Sequence, residues 1–483
     1  MIRVEDTYYM VSTTMHFMPG CEILQSFDLV HWEHVTYVYE TLDHTDAQQL
    51  KSGQNIYGQG MWAASLRYHE GRFYICFVAN DTRKTYLYTS EKIDGPWKKQ
   101  LIEGFYHDGS LLFDEDGRSY IVYGNDEIWI TELNEDLTAP KKDGLHRLLV
   151  SDHKNPELGY EGSHIQKING YYYIFLVHSL RDRWMRTEAC FYSDSLEGEF
   201  TGGDVLCDDR GYCGQGVAQG GIVDTPDGKW YAMLFQDSGA VGRIPILLPV
   251  TWKDHFPFFG QNGHVPEEIE VHSTRPGYIY QPLVGSDDFC NGLLPRWQFN
   301  HDPDPRYYHL DALQGTYTIT TREVCTELTQ AVNTLTQRMS YPSCAAEVTV
   351  DASALKEGDV AGLCALQGCY AAVGITKHHG KYEVLMLDKK EDGILDMTEG
   401  TVVESHQMDF RLEADFCNMK DEARCYYRVN KGDWLPIGTV HKLYFKLDHF
   451  TGCRFGLFCY AAEETGGSAC FRDFKYYDVD EIL

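Results

Sequence analysis

The run Tyr160-Glu161-Gly162-Ser163-His164-Ile165-Gln166-Lys167-Ile168-Asn169-Gly170-Tyr171-Tyr172-Tyr173 decides the fold. Alternate residues Ser163, Ile165 and Lys167 lead into Asn169-Gly170, the dipeptide that type I′ hairpin turns favour because both central residues need positive φ. An aromatic strand leads out, so the stretch reads as a β-hairpin. The same hairpin recurs at Glu70-Gly71 before Phe73-Tyr74, at Asp116-Gly117 before Tyr120 and at Asp227-Gly228 before Trp230-Tyr231, and a fifth copy, Glu5-Asp6 before Tyr8-Tyr9, opens the chain. The matching tyrosines, Tyr9, Tyr74, Tyr120, Tyr173 and Tyr231, stand 46 to 65 residues apart. Repeats of this length with several short strands each indicate propeller blades. A second repeated segment, Ser26 to Trp32, Ser90 to Trp97 and Ser193 to Phe200, supplies a strand end and a tight polar turn to complete each blade. Five copies predict five blades.

Nine residues before the four turn glycines stand Trp62, Asp108, Glu161 and Gln219. Equivalent positions in a propeller point at one place on its axis, so an indole, two carboxylates and an amide are expected to converge at one end of the central channel. The competing reading is that Asp108 and Glu161 cap strands or bind loop backbone. Repeat equivalence favours convergence.

Outward from the repeats, the rhythm changes past Pro276, which divides the chain into a propeller over 1–278 and a second domain over 279–483. Alternation in Ala346-Glu347-Val348-Thr349-Val350 and the strand-turn spacing after it predict a jelly-roll β-sandwich. No long helical period interrupts either half, so the fold class is all-β. The formal charge of −30 disfavours nucleic acid and anionic membranes, whose phosphates need clustered Lys and Arg, and leaves a neutral partner as the expectation. No stretch is long and apolar enough to span a bilayer. The fifteen cysteines lack zinc-type or redox spacing and read as reduced, buried side chains of a cytoplasmic protein, with a leader ahead of Met1 left open.

Other residues carry two readings each. His16 and Phe17 form a sugar platform or pack the channel rim. Trp62 is a core indole or a stacking surface. Arg243 pairs with a carboxylate or contacts substrate, and His107 is a structural imidazole beside Asp108. Asp43 to Tyr57 reads as a surface loop beside the site, and Asp114-Glu115-Asp116-Gly117 as a hairpin turn, lacking the ligand spacing of a calcium loop.

Taken together, Trp-Ala-x-Ser at 62–65, His-Asp-x-Ser-Leu at 107–111, Glu-Gly-x-His at 161–164 and Gln-Gly-Gly-Ile-Val-Asp at 219–224, with Gly242-Arg243 and Pro249-Val250-x-Trp252, resemble the family 43 glycoside hydrolases. Closest are the β-xylosidase and α-L-arabinofuranosidase members with a C-terminal concanavalin-like β-sandwich, and Ser286-Asp287-Asp288-Phe289 and Gly358-Asp359-Val360-Ala361-Gly362 resemble that second domain. The resemblance implies an exo-acting, inverting hydrolase releasing terminal arabinofuranose or xylose from arabinoxylan-type oligosaccharides. It makes Glu161 the general acid and Asp108 the residue that orients it and raises its pKa. Trp62, Phe17 and His16 would line the sugar pocket, with Gln219 and Arg243 on sugar hydroxyls. No cofactor is required. Relatives hold a central calcium through a histidine in the register of Gln219, so Ca2+ in the channel is an open reading there. The family's general base, an aspartate, falls by register just upstream of Met1. The alternative is a glycan-binding propeller, non-catalytic or crippled by the lack of that base.

Overall fold

The computed structural model is described over residues 1–478. The end of the expected sandwich, 479–483, lies outside the described residues. Five four-stranded antiparallel sheets follow one another along the chain. Blade one contains β1 (Ile2–Val4), β2 (Thr7–Ser12), β4 (Gly20–Ser26) and β5 (Glu33–Tyr39), with the two-residue β3 (Phe17–Met18) outside its sheet. Blade two is β6 (Met61–His69), β7 (Arg72–Ala79), β8 (Lys84–Ser90) and β9 (Lys98–Ile102). Blade three is β10 (Ser110–Phe113), β11 (Ser119–Asn125), β12 (Glu127–Leu133) and β13 (His146–Ser151). Blade four is β14 (Glu161–Ile168), β15 (Tyr171–Ser179), β16 (Arg186–Ser193) and β17 (Thr201–Leu206), and blade five is β18 (Ala218–Asp224), β19 (Trp230–Asp237), β20 (Arg243–Lys253) and β21 (Phe256–Phe259).

The turns divide into two types. Glu70-Gly71 and Asn169-Gly170 have positive φ at both residues, as type I′ requires. At Asp116-Gly117 and Asp227-Gly228 only the glycine is left-handed, and its N–H reaches back to Asp114 or Thr225, a type I turn closed by glycine. Both give the right-handed strand twist that fans blades around an axis.

Each wedge between blades holds its own apolar cluster, the last one joining Tyr8 and Leu29 to Val223 and Tyr231. That cluster and the ion pair from Arg3 on β1 to Asp224 on β18 close the ring. Without closure, the cluster between blades one and five would be open to water.

The second half is a two-sheet sandwich whose larger sheet runs from β22 (Gln298–Asn300) through Leu335–Arg338 and Arg454–Tyr460 to Val360–Leu366 and beyond. Its inner faces bury an apolar cluster that includes Phe410, Leu412, Phe455 and Leu457. One strand of this sheet comes from the propeller: β3 pairs with β22, Phe17 opposite Asn300 and Met18 opposite Phe299. This corrects the reading of Phe17 and His16 as a sugar platform. Both are completely buried, Phe17 under the Arg454 guanidinium 4.2 Å from its ring and His16 among Tyr57, His301 and His449. Full burial of one such ring contributes about 1.5–3 kcal/mol, here to domain docking. Asp43 to Tyr57 is likewise no free surface loop, since Gln48, Leu50 and Ile56 are buried and Ile56 N–H donates to His301 Nε2 at 3.0 Å. The fifteen cysteines are all free, and no helix among the described residues is long and apolar enough to cross a membrane.

Candidate active site

Of the four residues placed by repeat equivalence, Trp62 and Gln219 sit inside the same backbone irregularity and Glu161 is the last paired residue before it. The innermost strands β6, β14 and β18 each shift register against their neighbours, between Met61 and Ala64, Glu161 and His164, and Ala218 and Gly221. A β-bulge leaves unpaired residues and re-aims side chains, and here Trp62 and Gln219 from within the bulges and Glu161 at the edge of one line a single cavity. Asp108 reaches the same cavity from the turn before β10, in the left-handed conformation with φ of 48°. The cavity encloses about 750 Å³.

Asp108 and Glu161 are its only carboxylates among the described residues, and with His107 they offer ligand atoms all within 4.8 Å of one another. Asp108 Oδ2 accepts the Gly162 N–H at 3.0 Å, which ties it to the backbone beside Glu161. Asn125 Nδ2 donates to Glu161 Oε2 at 2.8 Å, and His107 Nε2 stands 3.5 Å from the same oxygen. The Asp108 side chain is 5% exposed and that of Glu161 18%, so Glu161 is the one a ligand can reach.

Electrostatics differ from the expectation that Asp108 raises the pKa of Glu161. Burial and the Glu161 charge push Asp108 itself above the usual carboxylate range, against the pull of His107. Burial also acts to raise Glu161, but the nearby His107 imidazole, helped by the charges of Arg186 and Arg243, outweighs it and leaves Glu161 lowered. His107 in turn is raised: its burial is overcome by Glu161 and Asp108. The three groups thus set one another's charge, and the imidazole that sequence reading set aside as structural stands beside both carboxylates.

Arg243 has a carboxylate partner: its Nε donates to Asp237 Oδ1 at 3.2 Å, while Arg186 Nε donates to Asp237 Oδ2 at 3.1 Å. Asp237 therefore holds two guanidiniums at the cavity wall. Arg243 also lies 4.2 Å from the ring of Phe450, and Phe450 meets Trp62 edge-on at 5.6 Å. Phe450, Leu447, Thr451 and Arg338 belong to the sandwich, so the second domain builds one wall. No signal in the repeats could reveal these, because they lie in the second domain, Arg338 on a sheet strand and the other three in a loop, outside the repeated blades.

Gln219 also lines the cavity. Its backbone N–H donates to the buried Glu188 Oε2 at 2.7 Å, and its amide packs so closely on Gly162 that a Cβ there would come within 2.8 Å of Nε2. Calcium does not fit the channel beside it. The Arg67 guanidinium bridges the inner strands of blades two, three and four, donating to Leu66 O, Leu111 O, Ser110 Oγ and Ile165 O at 2.7–2.9 Å, so these oxygens are already engaged by a fixed positive charge that disfavours a hard cation nearby. His164 next to it is held near 3, by burial first and then by neighbouring positive charge, that of Arg67 included.

The chain's relatives share this architecture. The sequence model of glycosyl hydrolases family 43 matches residues 1–257, and that of the β-xylosidase C-terminal concanavalin A-like domain matches 286–477. A β-xylosidase of Formosa agariphila is 26% identical over 99% of this chain and 86% of its own length. Among solved structures, a bifunctional GH43-CE protein of Bacteroides eggerthii superposes with a TM-score of 0.91 at 42% identity over 99% of this chain, which spans 62% of that longer protein. A GH43 glycoside hydrolase engineered to display both endo-xylanase and exo-arabinofuranosidase activity superposes at 0.86 and 27% identity, covering 99% of this chain and 97% of its own. A match across the whole propeller, a second across the sandwich and a paired carboxylate site at the end of the channel make this chain a member of glycosyl hydrolases family 43, a glycoside hydrolase.

Proposed function

We propose that the chain hydrolyses terminal α-L-arabinofuranosyl or β-D-xylosyl residues of xylan-type oligosaccharides with inversion. The observation that carries this reading is the placement of Glu161, reachable from the cavity and braced by Asn125, with Asp108 buried behind it. Glu161 donates the proton to the leaving oxygen. A sugar seated on it removes its remaining exposure, and desolvation then favours the protonated form. Asp108 is the orienting residue and not the water-activating base: an inverting pair needs roughly 6.5–9.5 Å between carboxyls to admit water, and these two approach within 4.8 Å. Met1, at the start of the innermost strand of blade one, also lines the cavity. The Arg67 guanidinium bridging the inner strands and the wall built by Phe450 support a pocket closed on one side and hence exo action. Names of relatives, a β-xylosidase and an enzyme with exo-arabinofuranosidase activity, support the sugar class.

The test compares the chain with Glu161→Gln on p-nitrophenyl arabinofuranoside, p-nitrophenyl xyloside and short xylo-oligosaccharides, following the anomer first released by NMR. Loss of about 10²–10⁴ in kcat is expected, with inverted product from the unaltered enzyme. Equal activity of both proteins would remove Glu161 from its role, and equal silence would favour the glycan-binding alternative.

A further inference from the structure

The cavity wall around Glu161 carries an aromatic feature that the proton-transfer cluster does not use. Trp184 stands on the turn joining β15 to β16 in the blade that carries Glu161. It is 40% exposed and still lines the cavity. An exposed indole usually marks a mobile or an interacting surface, and this one is fixed. The turn is clamped by Leu180 N–H to Met185 O at 3.1 Å, Met185 N–H to Ser179 Oγ at 2.8 Å and Ser179 Oγ to Arg183 O at 3.2 Å. Arg186 lies 5.2 Å from the indole centroid and is itself held by Asp237. On the neighbouring side, just before β10, Phe105 lines the same cavity with the Arg83 guanidinium 3.8 Å from its ring. Leu158 and Asn125 line the same cavity, and Asn125 is the residue that holds Glu161 Oε2.

A general acid must face the oxygen of the leaving group, so the ground next to Glu161 and away from the channel floor belongs to the aglycone. This step rests on the function proposed above. Pyranose rings present C–H faces that pack on aromatic surfaces, and a braced ring binds them without first losing conformational freedom. We propose that Trp184 and Phe105 form the binding platform for the leaving-group sugar, so that the enzyme selects substrates whose aglycone is itself a pyranose ring.

The test compares two substrates carrying the same released sugar: a glycosyl fluoride, whose leaving group has no ring, and an unbranched xylo-oligosaccharide. Trp184→Ala is expected to lower kcat/KM on the oligosaccharide about tenfold, mainly through KM, to leave the fluoride unchanged, and to be rescued by Trp184→Tyr; Phe105→Ala should act in the same direction. Equal losses on both substrates, or no loss on the oligosaccharide, would overturn the platform while leaving the hydrolase reading intact. An unaltered enzyme inactive on both substrates would overturn the hydrolase reading and the platform with it.

Discussion

His107 Nε2 lies 3.5 Å from Glu161 Oε2, closer than its 3.7 Å approach to Asp108 Oδ2. The imidazole thus sets the charge felt by the proposed acid. Replacing it by the neutral glutamine of His107→Gln leaves burial, the largest influence on Glu161, unopposed by its main counterweight. Glu161 then keeps its proton to higher pH, and the alkaline limb of the kcat/KM profile, which reports loss of that proton, should move upward. A limb that stays in place or moves down would show that His107 does not tune Glu161.

How much of this site could be read in advance follows from what repeats encode. The nine-residue spacing to the turn glycine predicted Trp62, Asp108, Glu161 and Gln219 in one cavity, because strand register fixes where each blade points. It could not assign His16 and Phe17, which lie between β2 and β4 where the chain leaves the blade to pair with the sandwich. Arg243 carried two readings from sequence, and its bond to Asp237 realises the first. His107 looked structural because adjacency in sequence to Asp108 says nothing of its approach to Glu161 from the next blade. Phe450 and Arg67 were invisible for a common reason: each acts through a tertiary contact with no periodic signature.

Asp108 combines a left-handed backbone with a carboxylate held by Gly162 N–H. Asparagine tolerates that backbone and keeps an acceptor oxygen, whereas alanine does neither. Asp108→Asn should therefore fold with a near-normal melting temperature and lose about 10–100-fold in kcat, and Asp108→Ala should in addition lose about 1–2 kcal/mol of stability. If the asparagine variant retained full kcat over the whole pH range, the buried charge would have no part in catalysis.

The sandwich wall depends on two glycine backbones that touch. A Cβ on Gly452 would meet Val241 O at 2.1 Å, and one on Gly242 would meet Gly452 N at 2.6 Å, at the base of the loop that brings Phe450 against Arg243. Both also have positive φ. Gly452→Ala must push the domains apart locally, costing about 1–3 kcal/mol and raising KM for the glycoside. Gly380→Ala is the control, with comparable positive φ and open space around it: its effect should be confined to roughly 1 kcal/mol of backbone strain, with KM unchanged. Identical kinetics for the two variants would show that Phe450 needs no close domain contact.

Docking of the two domains should weaken in acid. His16 is completely buried with both ring nitrogens unpartnered; burial, then the charges of His301, His449 and Arg454, hold it well below the ordinary imidazole value. Burial, with His449 adding to it, holds His301 near 3. Tyr57 packs on both rings, and Asp448 is the carboxylate beside His449. Both lowered groups are neutral in the folded protein, so their contribution is fully present above an unfolded pKa of about 6.5 and is lost progressively as pH falls from there towards 3. Two such imidazoles would together cost about 2.7 kcal/mol for each pH unit below that threshold. Urea midpoints measured from pH 8 to pH 5 should accordingly hold steady above 6.5 and fall below it. His16→Phe, which cannot titrate, should fall about half as steeply. A variant as acid-sensitive as the parent would place the acid-labile groups elsewhere, since nothing else at this interface changes when a neutral ring replaces a neutral ring.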